Sequence, residues 1–403
     1  MEKLVDQQEA PFSFEELFFS RTDVRGIILA GNSVFQRISQ YDWDALIKKP
    51  HNIIRHPDMP KGVFYLLWDF IKKGKPIGAY VKNRARDGRY YWVFAIVTPV
   101  NDGYLSVRLK PSSDFFDIVE GAYKALLDYE RTHKPPSKES MEHLLTMIQP
   151  LGFEDYDAFM SVAIRKEMLA RDAKLQRTPE PFLERFEELS DRAIALMKET
   201  ASVFACYEAN QYVPMNLQIQ SAQLGEEGRT IGVISGNFSI VSNEIQQEIV
   251  LFNQSAREVF AQIYEGQFLL CVAQMQQEVV AFFERESRDV PIDTQHEMKL
   301  LLGQLASYQQ KAEGSLRNIL HKIHRFQDDC SRMKKCAASL EVIRVMGKVD
   351  AARLSHNNSS LNDLIDELGA FQTGISQSLN KIDRFNAHMR HDTEGVIGSL
   401  TSC

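Results

Sequence analysis

The sequence predicts an α+β domain built on a small antiparallel sheet, followed by an all-α region of long antiparallel helices. Three observations carry this expectation. Between residues 18 and 110, short β-rich runs are separated by turn dipeptides, the pattern of strands and hairpins. From residue 113 the two-residue period stops, and almost everything afterwards has helical spacing. The last segment keeps a seven-residue repeat: Leu361, Leu368, Ile375 and Ile382 on one register, Leu364, Phe371 and Phe385 on its pair, with Ser378 the one departure. Such a pattern is a coiled-coil seam.

In chain order, runs at 18–20 and 26–30 flank the turn Asp23-Val24-Arg25-Gly26 and predict a hairpin. Asn32 starts a helical patch with Val34, Phe35 and Ile38 apolar. A proline-restricted loop, Lys49-Pro50-His51-Asn52-Ile53-Ile54-Arg55-His56-Pro57-Asp58-Met59-Pro60, leads into a helix carrying Phe64 and Trp68 one turn apart. Asp58 is suited to cap that helix, and Pro60 to its first turn. Runs at 78–84, 89–100 and 104–110 meet at Asp87-Gly88 and Asn101-Asp102-Gly103, a three-stranded meander. Helices on one side of such a sheet leave a pocket between the layers.

Helices are then predicted at 113–132 and 137–148, parted by Lys134-Pro135-Pro136, and at 156–174. Thr178-Pro179-Glu180 reads as a helix start. Four long segments follow, about 182–223, 229–284, 296–354 and 361–390, with turns near Gly225, at 288–293 around Pro291, and near Asn357. The expected organisation is an α+β domain at 12–112, a helical linker at 113–177, and a helical bundle at 178–403 with two hairpins, their tips near 225 and 357.

Composition narrows the function. The 403 residues exceed one ordinary core, so two or three domains are expected. A net charge of −7 with no concentrated Lys/Arg segment argues against a nucleic-acid binder. No apolar run approaches a membrane span, and residues 1–11 are polar and acidic, unlike a secretory signal. Five scattered cysteines resemble reduced thiols rather than a disulfide framework. A cytoplasmic protein is expected. His321 and His324, with Cys330 and Cys336 nearby, fall on an apolar seam and lack a CxxC spacing, so no metal site is predicted. Gln276-Gln277-Glu278 loosely resembles a receptor methylation site, a common pairing on exposed helices. Nothing matches a nucleophile–base constellation, a Walker loop or a paired-carboxylate site, so an enzyme is not expected.

The loop and helix at 49–68, with Ser20-Arg21-Thr22-Asp23-Val24-Arg25-Gly26 upstream and Lys82-Asn83-Arg84 … Asp87-Gly88-Arg89-Tyr90-Tyr91-Trp92 downstream, resemble the sensory PAS domain of bacterial aerotaxis receptors, over about residues 12–110. It departs at Ile77, where the receptors carry a tryptophan. The resemblance implies bound FAD. Asn32, Phe64, Trp68 and Asn83 match residues that line or support its site, and Arg55, His56 and Asp58 fall in its signature loop. Physically, Trp68 and Phe64 suit the face of an isoalloxazine, an asparagine amide offers donor and acceptor to its pyrimidine edge, and Arg55 suits a phosphate. Haem is the less suited ligand, because His51 and His56 lie in the loop and not on a helix face. The alternative is that both rings are core and the domain works without a cofactor.

The stretch Asn216-Leu217-Gln218-Ile219-Gln220-Ser221-Ala222-Gln223-Leu224-Gly225-Glu226-Glu227-Gly228-Arg229 resembles the hairpin tip of methyl-accepting chemotaxis receptors, N-x-x-I-E-A-A-R-A-G-E-x-G-R. Gln220 and Gln223 replace its glutamate and arginine. A second copy, Val349-Asp350-Ala351-Ala352-Arg353, restores those charges but lacks the glycine turn. By this resemblance Asn216, Gln220, Gln223, Glu226, Arg229, Asp350 and Arg353 would face a chemotaxis kinase and its coupling protein, or another signalling protein. Two hairpins in one chain suggest an intrachain pseudo-dimer. The expected function is a redox or oxygen sensor, a flavoprotein controlling a chemoreceptor-like helical output; the rival is a cofactor-free interaction scaffold.

Overall fold

A computed structural model describes residues 8–283, 293–353 and 359–401. The chain divides into two compact units, Met1–Leu183 with Tyr264–Gly314, and Glu184–Ile263 with Ser315–Cys403.

The first unit is built on five strands, β1 (Phe18–Asp23), β2 (Ile28–Gly31), β3 (Ile77–Arg84), β4 (Tyr90–Val100) and β5 (Gly103–Leu109), in the antiparallel order β2-β1-β5-β4-β3. The first hairpin and the meander form as their turn chemistry predicts. Gly26 and Gly88 take φ of +80° and +96°, the conformation a side chain resists. Between β2 and β3 lie α1 (Ser33–Ser39), the short α2 (Trp43–Leu46), a 3₁₀ turn at His51–Ile54 and α3 (Lys61–Lys72). Then follow α4 (Asp114–His133), α5 (Ser137–Ile148) and α6 (Tyr156–Leu175).

Both faces of the sheet are covered, where helices on one side were expected. On one face lie α3 and the loop before it. On the other, Tyr80 donates to Glu167 of α6 at 2.7 Å, and Tyr123 of α4 donates to the Tyr80 carbonyl at 3.1 Å. The ends of two long helices, α9 (Arg229–Phe283) and α10 (Thr294–Ala351), complete that layer. Phe19 meets Phe283 edge to face at 4.9 Å. Arg21 reaches Glu297 at 2.7 and 2.8 Å, and Thr98 donates to Gln304 at 2.9 Å. Burial on both faces accounts for the almost unbroken apolar run of β4, Tyr91 to Val97.

The second unit holds α7 (Pro181–Asn210), α8 (Val213–Gln223), the adjoining parts of α9 and α10, and α11 (Ser359–Thr401). One continuous segment was expected over 182–223; it breaks at Gln211 and Tyr212, and Pro214 sits in the first turn of α8. Proline has no N–H for the preceding turn, so it restarts a helix more readily than it continues one. The last helix runs past the expected Arg390 to Thr401, with Val396 fully buried.

Contacts within this unit run antiparallel. Arg192 pairs with Asp392, and Lys381 with Glu199. Phe252 stacks on Phe326 at 4.7 Å, and Gln262 donates to Ser315 at 2.7 Å. Cys330 donates to Asp383, and Lys348 pairs with Asp366. The seam residues Leu361, Leu368, Phe371, Ile375 and Ile382 are buried, as the heptads require, but on the paired register Leu364 and Phe385 are half-buried, and Ile365 and Leu379 are buried instead. The turn at 288–293 is described only at Asp293, and the second tip near 357 lies outside the described residues.

Candidate functional site

Strand geometry sends alternate residues to opposite faces. Ser20 and Thr22, Val81 and Asn83, Ala95 and Val97, and Tyr104, Ser106 and Arg108 therefore share the face toward α3. They line a cavity of about 600 Å³. Its opposite wall is the 3₁₀ turn with Pro50, His51 and Asn52, then Arg55, and the face of α3 bearing Phe64 and Trp68. This volume falls within the range of small-molecule and cofactor sites.

Helix α3 presents these rings because of how it starts. The backbone N–H groups of Lys61 and Gly62 donate to the Glu130 carboxylate of α4, each at 3.2 Å. Glu130 thus does the capping expected of Asp58. Asp58 instead is half exposed and pairs with Arg131 at 3.3 Å, and Pro60 takes the N-cap position. The Trp68 ring meets Tyr104 edge-on at 5.6 Å. A Cβ on Gly26 would lie 3.1 Å from the same indole, so the absence of a side chain there admits the ring.

Four of the seven residues matched to the FAD site line the cavity: Arg55, Phe64, Trp68 and Asn83. The Arg55 guanidinium lies 3.8 Å from the Phe64 ring centre and donates to the Met59 carbonyl at 3.4 Å. One face of Phe64 is thereby occupied by a cation. Burial draws the Arg55 pKa below its ordinary value, with Glu130 opposing. Asn83 is buried, and its backbone bridges to Arg55 across the loop.

Asn32, His56 and Asp58 are not in the lining. The Asn32 side chain is fully buried and caps α1: its oxygen accepts from the N–H groups of Phe35 and Phe19, and its amide donates to the Leu17 carbonyl at 2.7 Å. It joins α1 to β1 and thus supports the wall. His56 is buried, and its Nδ1 accepts from the Asp58 N–H at 3.0 Å, which closes the loop.

Sequence reasoning missed Ser20, Ser106 and Arg108, and it set His51 aside. His51 lines the cavity, stacks parallel to Phe35 at 6.0 Å, and accepts from Arg108 at 2.7 Å through Nε2. That lone pair is engaged by an arginine, which disfavours it as an iron ligand. Burial, then the Arg108 charge, pulls its pKa down to about 3, so the ring is neutral. Burial also lowers Arg108 to about 10, still a cation at neutral pH. The legible signal was an arginine on an inward register of β5, two residues beyond Ser106 and four beyond Tyr104.

At the tip, Gly225 takes φ +60° and turns the chain between α8 and α9, and the Ser221 hydroxyl donates to the Gly228 carbonyl at 2.7 Å. Glu226 and Arg229 are strongly exposed and 4.0 Å apart. Asn216, Gln220 and Gln223 lie on α8. In the second copy Arg353 is exposed and lies 3.4 Å from Asp350. A Cβ on Gly347 would lie 3.6 Å from Ile365 and 3.9 Å from Ile234, so α9, α10 and α11 converge near both copies.

Residues 28–107 match the family described as the PAS fold, and the first unit carries a PAS domain. The Aerotaxis receptor of Escherichia coli (strain K12) is 39% identical over 127 residues, which make up 30% of this chain and 25% of that receptor. The match thus spans a quarter of the relative's length. Among solved structures, the PAS domain of a protein from Colwellia psychrerythraea aligns at 18% identity over 23% of this chain and 85% of that one, with a TM-score of 0.21. The light-state structure of the blue-light photoreceptor Aureochrome1 LOV aligns at 19% identity over 30% of this chain and 95% of that one, with a TM-score of 0.24. No described helix is long and apolar enough to cross a membrane.

Proposed function

We propose that this chain is a signal-transduction sensor, a receptor rather than an enzyme, whose PAS cavity holds FAD and reports redox state or oxygen. The observation that carries the reading is the cavity itself. It has the volume for a planar cofactor, aromatic walls at Trp68 and Tyr104, an amide at Asn83, and cations at Arg55 and Arg108. These donors and rings fit a flavin: its ring bears acceptors along one edge and apolar faces, and its tail bears phosphates. Trp68 would cover the ring, Asn83 and Arg108 would meet acceptors, and Arg55 would turn from Phe64 toward phosphate. Flavin supplies reversible electron uptake; the protein supplies orientation and charge.

The route outward follows from strand alternation. On β1, Ser20 and Thr22 face the cavity, while Arg21 between them holds Glu297 on α10. A shift of β1 on the ligand side therefore bears on α10 at the next residue. The residue ranges of helices α9 and α10 include residues of both units, which supports them as the route of output. The partner reading is a chemotaxis kinase and coupling protein, engaged through Gln220, Gln223, Glu226, Arg229, Asp350 and Arg353. One chain supplies four antiparallel helical stretches to the bundle, which supports an intrachain counterpart of a receptor dimer.

The test is visible absorbance of the full-length protein after incubation with FAD and desalting, for wild type and Trp68→Ala. Wild type should be yellow with near-stoichiometric flavin. Trp68→Ala should remain folded and lose tenfold or more in affinity, about 1–3 kcal/mol for a lost stack. A colourless wild type that still captures a coupling protein would favour the scaffold instead.

A further inference from the structure

Among the described residues, one cation in the cavity wall has no counter-charge. Arg108 is 4% exposed. Its Nη2 donates to the Ser20 hydroxyl and to His51 Nε2, each at 2.7 Å. Among the described residues its Nη1 is buried without a partner, and so is the Ser106 hydroxyl two residues away on the same face. The groups around the guanidinium are Ser20, neutral His51, the Tyr91 phenol and the Phe35 ring, 5.6 Å from its carbon. Among the described residues no carboxylate pairs with it. The neighbouring cations have other outlets. Arg55 rests on Phe64, Lys61 donates to the Pro135 carbonyl, and Lys72 lies 5.6 Å from the Trp68 ring centre. A guanidinium keeps its proton at neutral pH, and a buried unpaired charge is costly, so its place is explained when an anion or strong acceptor fills the cavity.

We infer that Arg108, with Ser106 beside it, is the counter-charge for the cavity's ligand and selects one that carries negative charge, or gathers it on reduction, against β5. Ser20 and His51 are positioning residues that hold the guanidinium plane. The redox half of this assignment rests on the flavin reading; the charge half does not. Flavin that takes up two electrons and one proton is left anionic, whereas a second proton leaves it neutral. A fixed cation favours the anion, and it favours the reduced ring over the oxidised one. In the test the electrons come from dithionite.

Full-length wild type, Arg108→Lys and Arg108→Met are loaded with FAD and titrated with dithionite against a reference dye. Arg108→Met should shift the equilibrium toward the oxidised ring by about tenfold, a fall of about 30 mV in midpoint potential. Arg108→Lys should lie between. In parallel, the flavin-free proteins are titrated with anionic anilinonaphthalene sulfonate and its uncharged relative phenylnaphthylamine. Wild type should prefer the anion, and Arg108→Met should lose that preference by about fivefold or more. A folded Arg108→Met with unchanged potential and unchanged probe preference overturns the assignment while leaving flavin binding intact. Failure of wild type to take FAD, with the probe preference present and Arg108-dependent, removes the flavin reading and supports the counter-charge. If Arg108→Met does not fold, Arg108→Lys and Ser20→Ala carry the same comparison, and no change in either overturns it.

Discussion

Removing the Glu297 carboxylate should weaken the hold of α10 on the outer face of the sheet. Glu297 accepts from Arg21 Nη2 at 2.7 Å and from Arg21 Nε at 2.8 Å, a paired arrangement of two donors on two oxygens. The side chains are only 9% and 3% exposed, so water screens the pair little. In Glu297→Ala the guanidinium stays buried; its other acid, Asp102, is exposed and 3.5 Å away. Breaking one side of a buried ion pair costs about 3–5 kcal/mol. For a unit of this size each kcal/mol lowers the melting midpoint by about 2–4 °C, so a fall of roughly 10 °C is expected. Differential scanning calorimetry of the full chain reads it. The double variant Arg21→Met/Glu297→Leu removes both charges and should recover most of the loss, because an apolar pair carries no desolvation cost. A Glu297→Ala midpoint within a degree of wild type would refute the reasoning. So would a double variant as unstable as the single one.

Two further outcomes follow from local chemistry. His51 faces Arg108, Ser20 and Phe35, and its pKa falls from 6.5 to about 3 in the fold. Between those values the unfolded chain binds the extra proton, so stability present above pH 6.5 is lost as the pH falls toward 3. The loss reaches about 2 kcal/mol at pH 5, and His51→Gln should flatten that slope in urea titrations. At the tip, Gly225 has φ +60° and open space around a Cβ, so Gly225→Ala carries only the left-handed backbone cost, about 1 kcal/mol. Gly236→Ala, in a helix with equally open space, should stabilise by about as much; thermal midpoints moving the same way would show that 225 is not a left-handed turn.

Strands and helices were legible where local pattern and burial agree. The turn glycines at 26 and 88 and the heptads of α11 are both direct readings of backbone geometry and of one buried stripe. What escaped was set by partners distant in sequence. Glu130 caps α3 from 69 residues away, and no local pattern at 58–61 reveals it. The outer layer from α9 and α10 was hidden in the same way, although the apolar run in β4 announced a sheet buried on both faces. In the cavity, the aromatic and loop residues were found because they cluster in sequence. Arg108 was not, because its meaning lies in a missing counter-charge that only three dimensions show. Asn32 shows the converse: a polar residue in the right place for a ligand is wholly used by backbone groups.

Part of the layer that covers the sheet is made late. Strand β5 ends at Leu109, and the segment that completes the first unit begins only at Tyr264, about 150 residues further on. At about 5–20 residues per second, the ribosome needs roughly 10–30 s to reach it. In that interval α4 and α6 already cover Gly78 and Tyr80, but Phe19 lacks the cover that Phe283 gives it, and Arg21 has no Glu297 to bind. A nascent chain in this state presents the β1 part of that face, with Phe19, to its neighbours, a surface suited to chaperone capture. The first unit is therefore incomplete without residues 264–314. A fragment ending at residue 183 reproduces the unfinished nascent state, and expressing the domain in isolation should return aggregates where the full chain folds.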